Sequence, residues 1–268
     1  MKAPDKNTIK ALVRTAVESY AQGFRARHEG EVDNPEGTIN MKIHNVFIEV
    51  LGKEIQYYTA LVRSLDSSLG NMLEGLAINI ASLSFEVKRN VEGPLGVGQT
   101  RIIAELLEKY KRREIKPSIT HYQTLRSFAG KDKAPLKRHD SDYYLIDRET
   151  DTHYLIELKI GGDLDSKKAR SEKEAILEQF AILSNVLPPE SNIKIFFATA
   201  YNRYGENKQW RQERVRQFFA DEELLIGKDF WNFVCRSNEG YETVLEAYRE
   251  SAQLIKQALD SIKKTYLG

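Results

Sequence analysis

The chain has 268 residues, 29% of them charged, and its 40 Lys+Arg against 39 Asp+Glu leave a formal charge of +1. This balance excludes a uniformly basic, histone-like nucleic-acid binder and an acidic disordered tail, while leaving room for a folded protein with a locally basic cleft. A lone cysteine, Cys235, excludes an internal disulfide and Cys-ligated zinc or iron–sulfur centres.

The opening stretch, MKAPDKNTIKALVRTAVESY, carries charges through its apolar positions and does not read as a secretory signal. No apolar run reaches the roughly 18–20 residues that cross a bilayer. The expectation is a cytoplasmic globular protein. Residues 1 to about 115 read mostly as helix from apolar spacing near 3.6. Ile9, Leu12, Val13, Ala16 and Tyr20 form a first stripe, which the polar HEGEVDNPEG breaks. Ile43, Val46, Phe47, Val50, Leu51 and Ile55 begin a second. Asp66-Ser67-Ser68 offers N-cap chemistry ahead of a third, Leu69, Leu73, Leu76 and Ile80. The turn GPLGVGQT precedes a fourth, from Ile102 to Tyr110.

After the basic connector KDKAPLKRH the period changes to extended. The run Tyr143–Ile146, the turn DRETDT and the run HYLIELKI predict a β-hairpin. Helix returns over 166–187, and NIKIFFATAY (Asn192–Tyr201) reads as a buried strand. A helix around Gln209–Phe219, the mixed segment LLIGKDFWNFVC and an amphipathic helix from Tyr241 to Tyr266 complete the chain. Strands grouped centrally between helices predict an α/β fold with a small mixed sheet flanked by many helices.

The chemistry concentrates at Asp142 and at Glu157-Leu158-Lys159. Alternation in a strand sends Tyr154, Ile156, Leu158 and Ile160 to one face, and Leu155, Glu157 and Lys159 to the other. Folding the hairpin at DRETDT brings Asp142, at the head of the first strand, toward this pair. Two carboxylates there suit a hard cation such as Mg²⁺. A lysine beside them can orient the attacking water and offset charge on a phosphate undergoing hydrolysis. The chain holds three further Glu-x-Lys triplets, at Glu86, Glu114 and Glu206. Only Glu157/Lys159 combines an apolar strand with an Asp-headed partner.

Asp142…Glu157-Leu158-Lys159 resembles the PD-(D/E)XK nuclease motif, with Ser141 in place of the usual proline. Asp140, two residues before Asp142, is the competing candidate for the aspartate. The helix LGNMLEGLAINIA before this core, GGDLDSKKARSEKEAILEQFAILSN after it and the late GKDFWNFV are similar to type II restriction endonucleases. The resemblance spans roughly residues 65–235. It implies a single nuclease domain with a helical N-terminal part to about 115, a catalytic core over about 116–235 and a C-terminal helix over about 238–266. It also implies Mg²⁺-dependent, sequence-specific cleavage of double-stranded DNA giving 5′-phosphates, a homodimer, and a cognate DNA methyltransferase protecting host DNA.

In that family a glutamate on the preceding helix often joins the metal site, and Glu74 occupies the corresponding place. Lys167, Lys168, Arg170 and Lys173, at the start of the following helix, become candidate phosphate contacts. Glu174, Glu178 and Gln179 are further candidates on the same helix. From Arg101 to Asp140 the chain carries eleven Lys/Arg against five acids, Lys137 and Arg138 among them, a local excess suited to tracking a DNA backbone. The alternatives are a PD-(D/E)XK nuclease of repair, recombination or a mobile element, and a non-catalytic DNA-binding protein. GPLGVGQT fails as a phosphate-binding loop because Gln99 stands where the lysine is needed, so it reads as a turn into a helix. Which bases are recognised is left open.

Overall fold

The computed structural model describes residues 4–127 and 134–268, without the side chains of Ser127 and Asp142. Lys131 and Lys133 of the basic stretch lie outside these residues. The elements in chain order are α1 (Lys6–Gly30), α2 (Val46–Glu49), α3 (Lys53–Ala81), β1 (Glu86–Pro94), α4 (Val97–Lys111), α5 (Gln123–Ser127), β2 (Leu136–Asp147), β3 (Thr152–Leu158), α6 (Ser166–Val186), β4 (Asn192–Thr199), α7 (Glu213–Arg216), β5 (Leu224–Ile226), α8 (Lys228–Val234) and α9 (Gly240–Leu267). Among the described residues no helix is long and apolar enough to cross a membrane. The chain divides into two compact units, a helical one (4–80 with 242–268) and a sheet-containing one (81–241).

In the helical unit, Asp5 caps α1 by accepting from the backbone N–H groups of Asn7 and Thr8. The buried positions Ile9, Val13, Val17, Ala21, Phe24 and His28 run down one face of that helix at helical spacing. Phe24 packs in a cluster with Tyr57, Leu61, Ile262 and Tyr266, and the Tyr266 hydroxyl donates to the His28 carbonyl at 2.9 Å.

Two expectations fail here. The predicted helix start at Asp66-Ser67-Ser68 is the middle of α3, where the Ser68 hydroxyl donates to the Ser64 carbonyl at 2.7 Å instead of capping. The second apolar stripe does not form one buried helical face. It is divided among a 3₁₀ turn, α2 and the start of α3, and Phe47 is 81% exposed.

The sheet of the other unit has the order β1-β2-β3-β4-β5, with β1/β2 and β2/β3 antiparallel and β3/β4 and β4/β5 parallel. The fold is therefore α/β with a mixed sheet, as the pattern of periods implied. Strand β3 is buried along nearly its whole length, and β4 shows the alternation of a strand with one wet edge at its start. Helices α4 and α6 pack beside the sheet through Ile103, Leu107 and Tyr110 and through Ile176, Leu177 and Phe180.

Strand β1 lies inside the stretch read as mostly helical. The Gly/Pro-rich segment is its end and the lead-in to α4. Gln99 is buried there, accepting from the Gly96 N–H and donating to the Leu125 carbonyl at 3.1 Å, which is a packing role. The helix expected around Gln209–Phe219 shrinks to the single turn α7.

Lys173 points into this core and is 0% exposed. Its ammonium donates to both carboxylate oxygens of Glu223, at 2.7 and 2.8 Å, and to the Tyr122 hydroxyl. Tyr122 in turn donates to Glu223 at 2.6 Å, and the Ala220 N–H supplies another bond at 2.7 Å. Burial pushes the Lys173 ammonium below its ordinary pKa, against the pull of Glu223. Removing one partner would leave the other charged and buried. Glu223→Ala should therefore cost about 3–5 kcal/mol in urea unfolding, while the double change Lys173→Met with Glu223→Leu should recover most of that loss. Equal stability of Glu223→Ala and the parent would contradict this reading.

Candidate active site

The β2–β3 hairpin closes through its own side chains. Asp147, the last residue of β2, accepts from the Glu149 N–H at 3.0 Å in an Asx turn. Its other oxygen pairs with the Arg236 guanidinium. Burial works to raise the Asp147 carboxyl, but Arg236 and the Glu149 N–H together hold it below the usual range. Asp151 completes the turn with φ +46°.

From that turn the register runs Asp147↔Thr152 through Tyr143↔Ile156. Continued by one residue, the same register would bring the backbone of position 142 level with that of Glu157. On its other side, β2 is irregular at the same place. Lys88 pairs with Tyr144 and Asn90 with Asp140, so Arg89 alone spans positions 141–143. Irregularities of this kind bend a strand and re-aim its side chains.

Glu157 is 8% exposed. Its carboxylate pairs with the ammonium of Lys159, which also lies 3.3 Å from Glu172 Oε1 on α6. Lys159 stands just beyond β3, and its N–H donates to the Ala198 carbonyl at 3.0 Å, prolonging the ladder with β4. The two faces divide as alternation requires. Leu155 belongs to the core that α6 covers, whereas Tyr154 packs with Phe85, Phe196 and Phe233.

The other candidate residues are scattered in role. Lys167, Lys168 and Arg138 are exposed. Arg170 pairs with Glu108 at 2.8 Å, and Lys137 with Glu178 at 2.7 Å. Glu178 also sits 2.9 Å from His139 Nε2, off the axis of a hydrogen bond. Burial lowers the His139 pKa, against the pull of Glu178. Lys173 is corrected from a phosphate contact to a buried structural cation, because its charge reaches no solvent. Gln179 is buried, Asp140 is exposed, and Glu74 is half-buried on α3 in the helical unit.

Glu172 is a contact that sequence reasoning missed. A signal existed, because Glu172, Ile176 and Phe180 form an i, i+4, i+8 row that carries the buried stripe of α6 one turn further toward its start.

Among the described residues, no group of three or more His, Cys, Asp or Glu side chains stands ready to hold a metal ion. The residues present nonetheless suit a cation. Glu157 and Glu172 converge on the Lys159 ammonium. Carboxylate oxygens are the ligands that hard divalent ions prefer.

The family defined as type II restriction endonuclease, HinfI, matches residues 5–252, nearly the whole chain and both units. The chain belongs to this family. It is accordingly a site-specific deoxyribonuclease, and the non-catalytic reading falls away. A comparison with curated proteins finds no match. Type II restriction endonucleases typically use divalent metal ions, which agrees with the carboxylate chemistry of this HinfI-family chain.

The exit from the site depends on two glycines. A Cβ on Gly162, where φ is +63°, would stand 2.6 Å from Thr199 Cγ2 and 3.2 Å from the Trp210 ring. A Cβ on Gly161 would meet the Tyr201 hydroxyl at 2.6 Å, at the far end of a side chain that is 49% exposed and can swing aside. Gly162→Ala should cost about 1–3 kcal/mol in urea unfolding, and Gly161→Ala distinctly less. Equal costs would contradict the packing described.

Proposed function

We propose that Asp142, Glu157 and Lys159 form a Mg²⁺-dependent centre that hydrolyses phosphodiesters of double-stranded DNA, leaving 5′-phosphate and 3′-hydroxyl ends. The observation that supports this reading is the convergence of Glu157 and Glu172 on the Lys159 ammonium beside the β2–β3 hairpin, whose register, continued by one residue, would bring position 142 level with Glu157. Asp142 and Glu157 would hold the ion. When bound, it would supply Lewis-acid stabilisation of the charge on the reacting phosphate.

The Lys159 ammonium orients the attacking water and offsets charge on the phosphoryl oxygens. Glu172, 3.3 Å from the Lys159 ammonium, would hold that ammonium if Glu157 served as a metal ligand. Lys167, Lys168, Arg138 and Lys137 lie on the same unit, and their charges supply backbone contacts. Two such centres related by a two-fold axis would match the two strands of a symmetric site, and on that ground the active form is assigned as a homodimer. In a cytoplasmic setting the host DNA then needs a methyltransferase of the same specificity.

Glu157→Ala should abolish cleavage, and Lys159→Ala should slow it about 10²–10⁴-fold. Both should bind duplex DNA within a few-fold of the parent in a gel-shift assay. Undiminished cutting by both variants would end the proposal.

A further inference from the structure

We infer that the loop 200–212, between β4 and α7, is the surface that reads base edges in the DNA major groove. This rests on the nuclease reading above.

The loop leaves the sheet beside the catalytic strand. Strands β3 and β4 are parallel, so their C-terminal ends lie together, and crevices at such ends are where open α/β sheets bind ligands. The Ala200 N–H donates to the Ile160 carbonyl at 3.0 Å, one residue after Lys159. Tyr201 lies against Gly161. Asp163 then ties the two segments together, accepting from Gln212 at 3.0 Å and pairing with Arg203 at 2.6 Å. The base of the loop is thus anchored to the segment that directly follows Lys159.

Its polar side chains divide into two groups. The inward ones build the loop. Asn202 donates to the Lys208 carbonyl at 2.7 Å and accepts from the Tyr204 N–H at 3.0 Å, and Glu206 accepts from the Lys228 N–H at 3.1 Å. The outward ones are Asn207, Lys208, Gln209 and Arg211, all exposed. Arginine and lysine suit guanine, and asparagine and glutamine suit adenine, because their donor and acceptor patterns match those base edges in the major groove. Arg211 lies over the Tyr204 ring, 4.8 Å from its centroid, a contact that favours one placement of the guanidinium. Asn207 also holds a left-handed turn position at φ +62°, which suits asparagine, so its amide is presented outward from a defined turn, with Gln209 and Arg211 exposed beside it.

The test is cleavage of a library of duplexes with a randomised segment, in Mg²⁺, with the cut ends sequenced. Parent, Arg211→Lys, Arg211→Ala and Asn207→Ala are compared. Arg211→Lys keeps the charge and removes the planar fork. The parent should cut at one discrete sequence. Each variant should lose roughly ten- to hundredfold discrimination at one base pair of that sequence while keeping the preference elsewhere. Unchanged preference at every position in all three variants, whether or not overall cutting falls, overturns the inference and leaves the nuclease reading intact. A parent that cuts no discrete sequence overturns both.

Discussion

Side chains of a strand alternate between faces, so a slip of one residue between β2 and β3 would carry Glu157 and Lys159 to the wrong side of the sheet. The proposed centre depends on that register. Several contacts hold it. Asp147 anchors the turn between the Glu149 N–H and Arg236, and Tyr144 bonds across the strands to His153 Nδ1 at 2.8 Å. Tyr143, Leu145, Leu155 and Leu158 are fully buried and would be displaced by any slip. The pairing is thus fixed from both its ends, and the irregularity opposite Arg89 can bend β2 at position 142 without loosening β3.

Helix α6 is the second wall of the site, and charge is distributed along it by function. Glu172 reaches Lys159, Glu178 reaches Lys137, and Lys173 is buried with Glu223. A basic residue on a helix near an active site is thus no guarantee of a phosphate contact. Here the fully buried ammonium stabilises the seam between α6 and the segment before β5. The near-zero net charge has the same explanation. Many cations are committed to internal carboxylates, and a local surplus at the surface, such as that of the loop 200–212, coexists with overall balance.

Much of this was legible in the sequence because it was periodic. The hairpin, α6, β4 and α9 declared themselves by alternation, by helical spacing or by turn chemistry, and Glu157 and Lys159 stood out as charges on an apolar strand. The misreadings share a cause. Asp66-Ser67-Ser68 has cap chemistry, but Ser68 satisfies itself against the preceding turn of α3. Phe47 and its neighbours have apolar spacing, yet spacing does not reveal which face a partner covers. The edge strand β1 is polar and short of alternation, so its partner β2 defines it. Lys173 could not be told from Lys167 by type; its place in the buried row Ala169, Lys173, Leu177 of α6 is what separates them. Glu172 was recoverable, but only by extending the buried row of α6 through a charged residue.

The central claim is that this register assembles a metal-dependent phosphodiesterase centre. Its most direct test is digestion of a DNA of known sequence by the intact protein, once with Mg²⁺ and once with EDTA, followed by sequencing of the ends. Discrete fragments bearing 5′-phosphates in Mg²⁺ and none in EDTA are the predicted result. Equal cutting in EDTA, or ends carrying 3′-phosphates, would contradict the account.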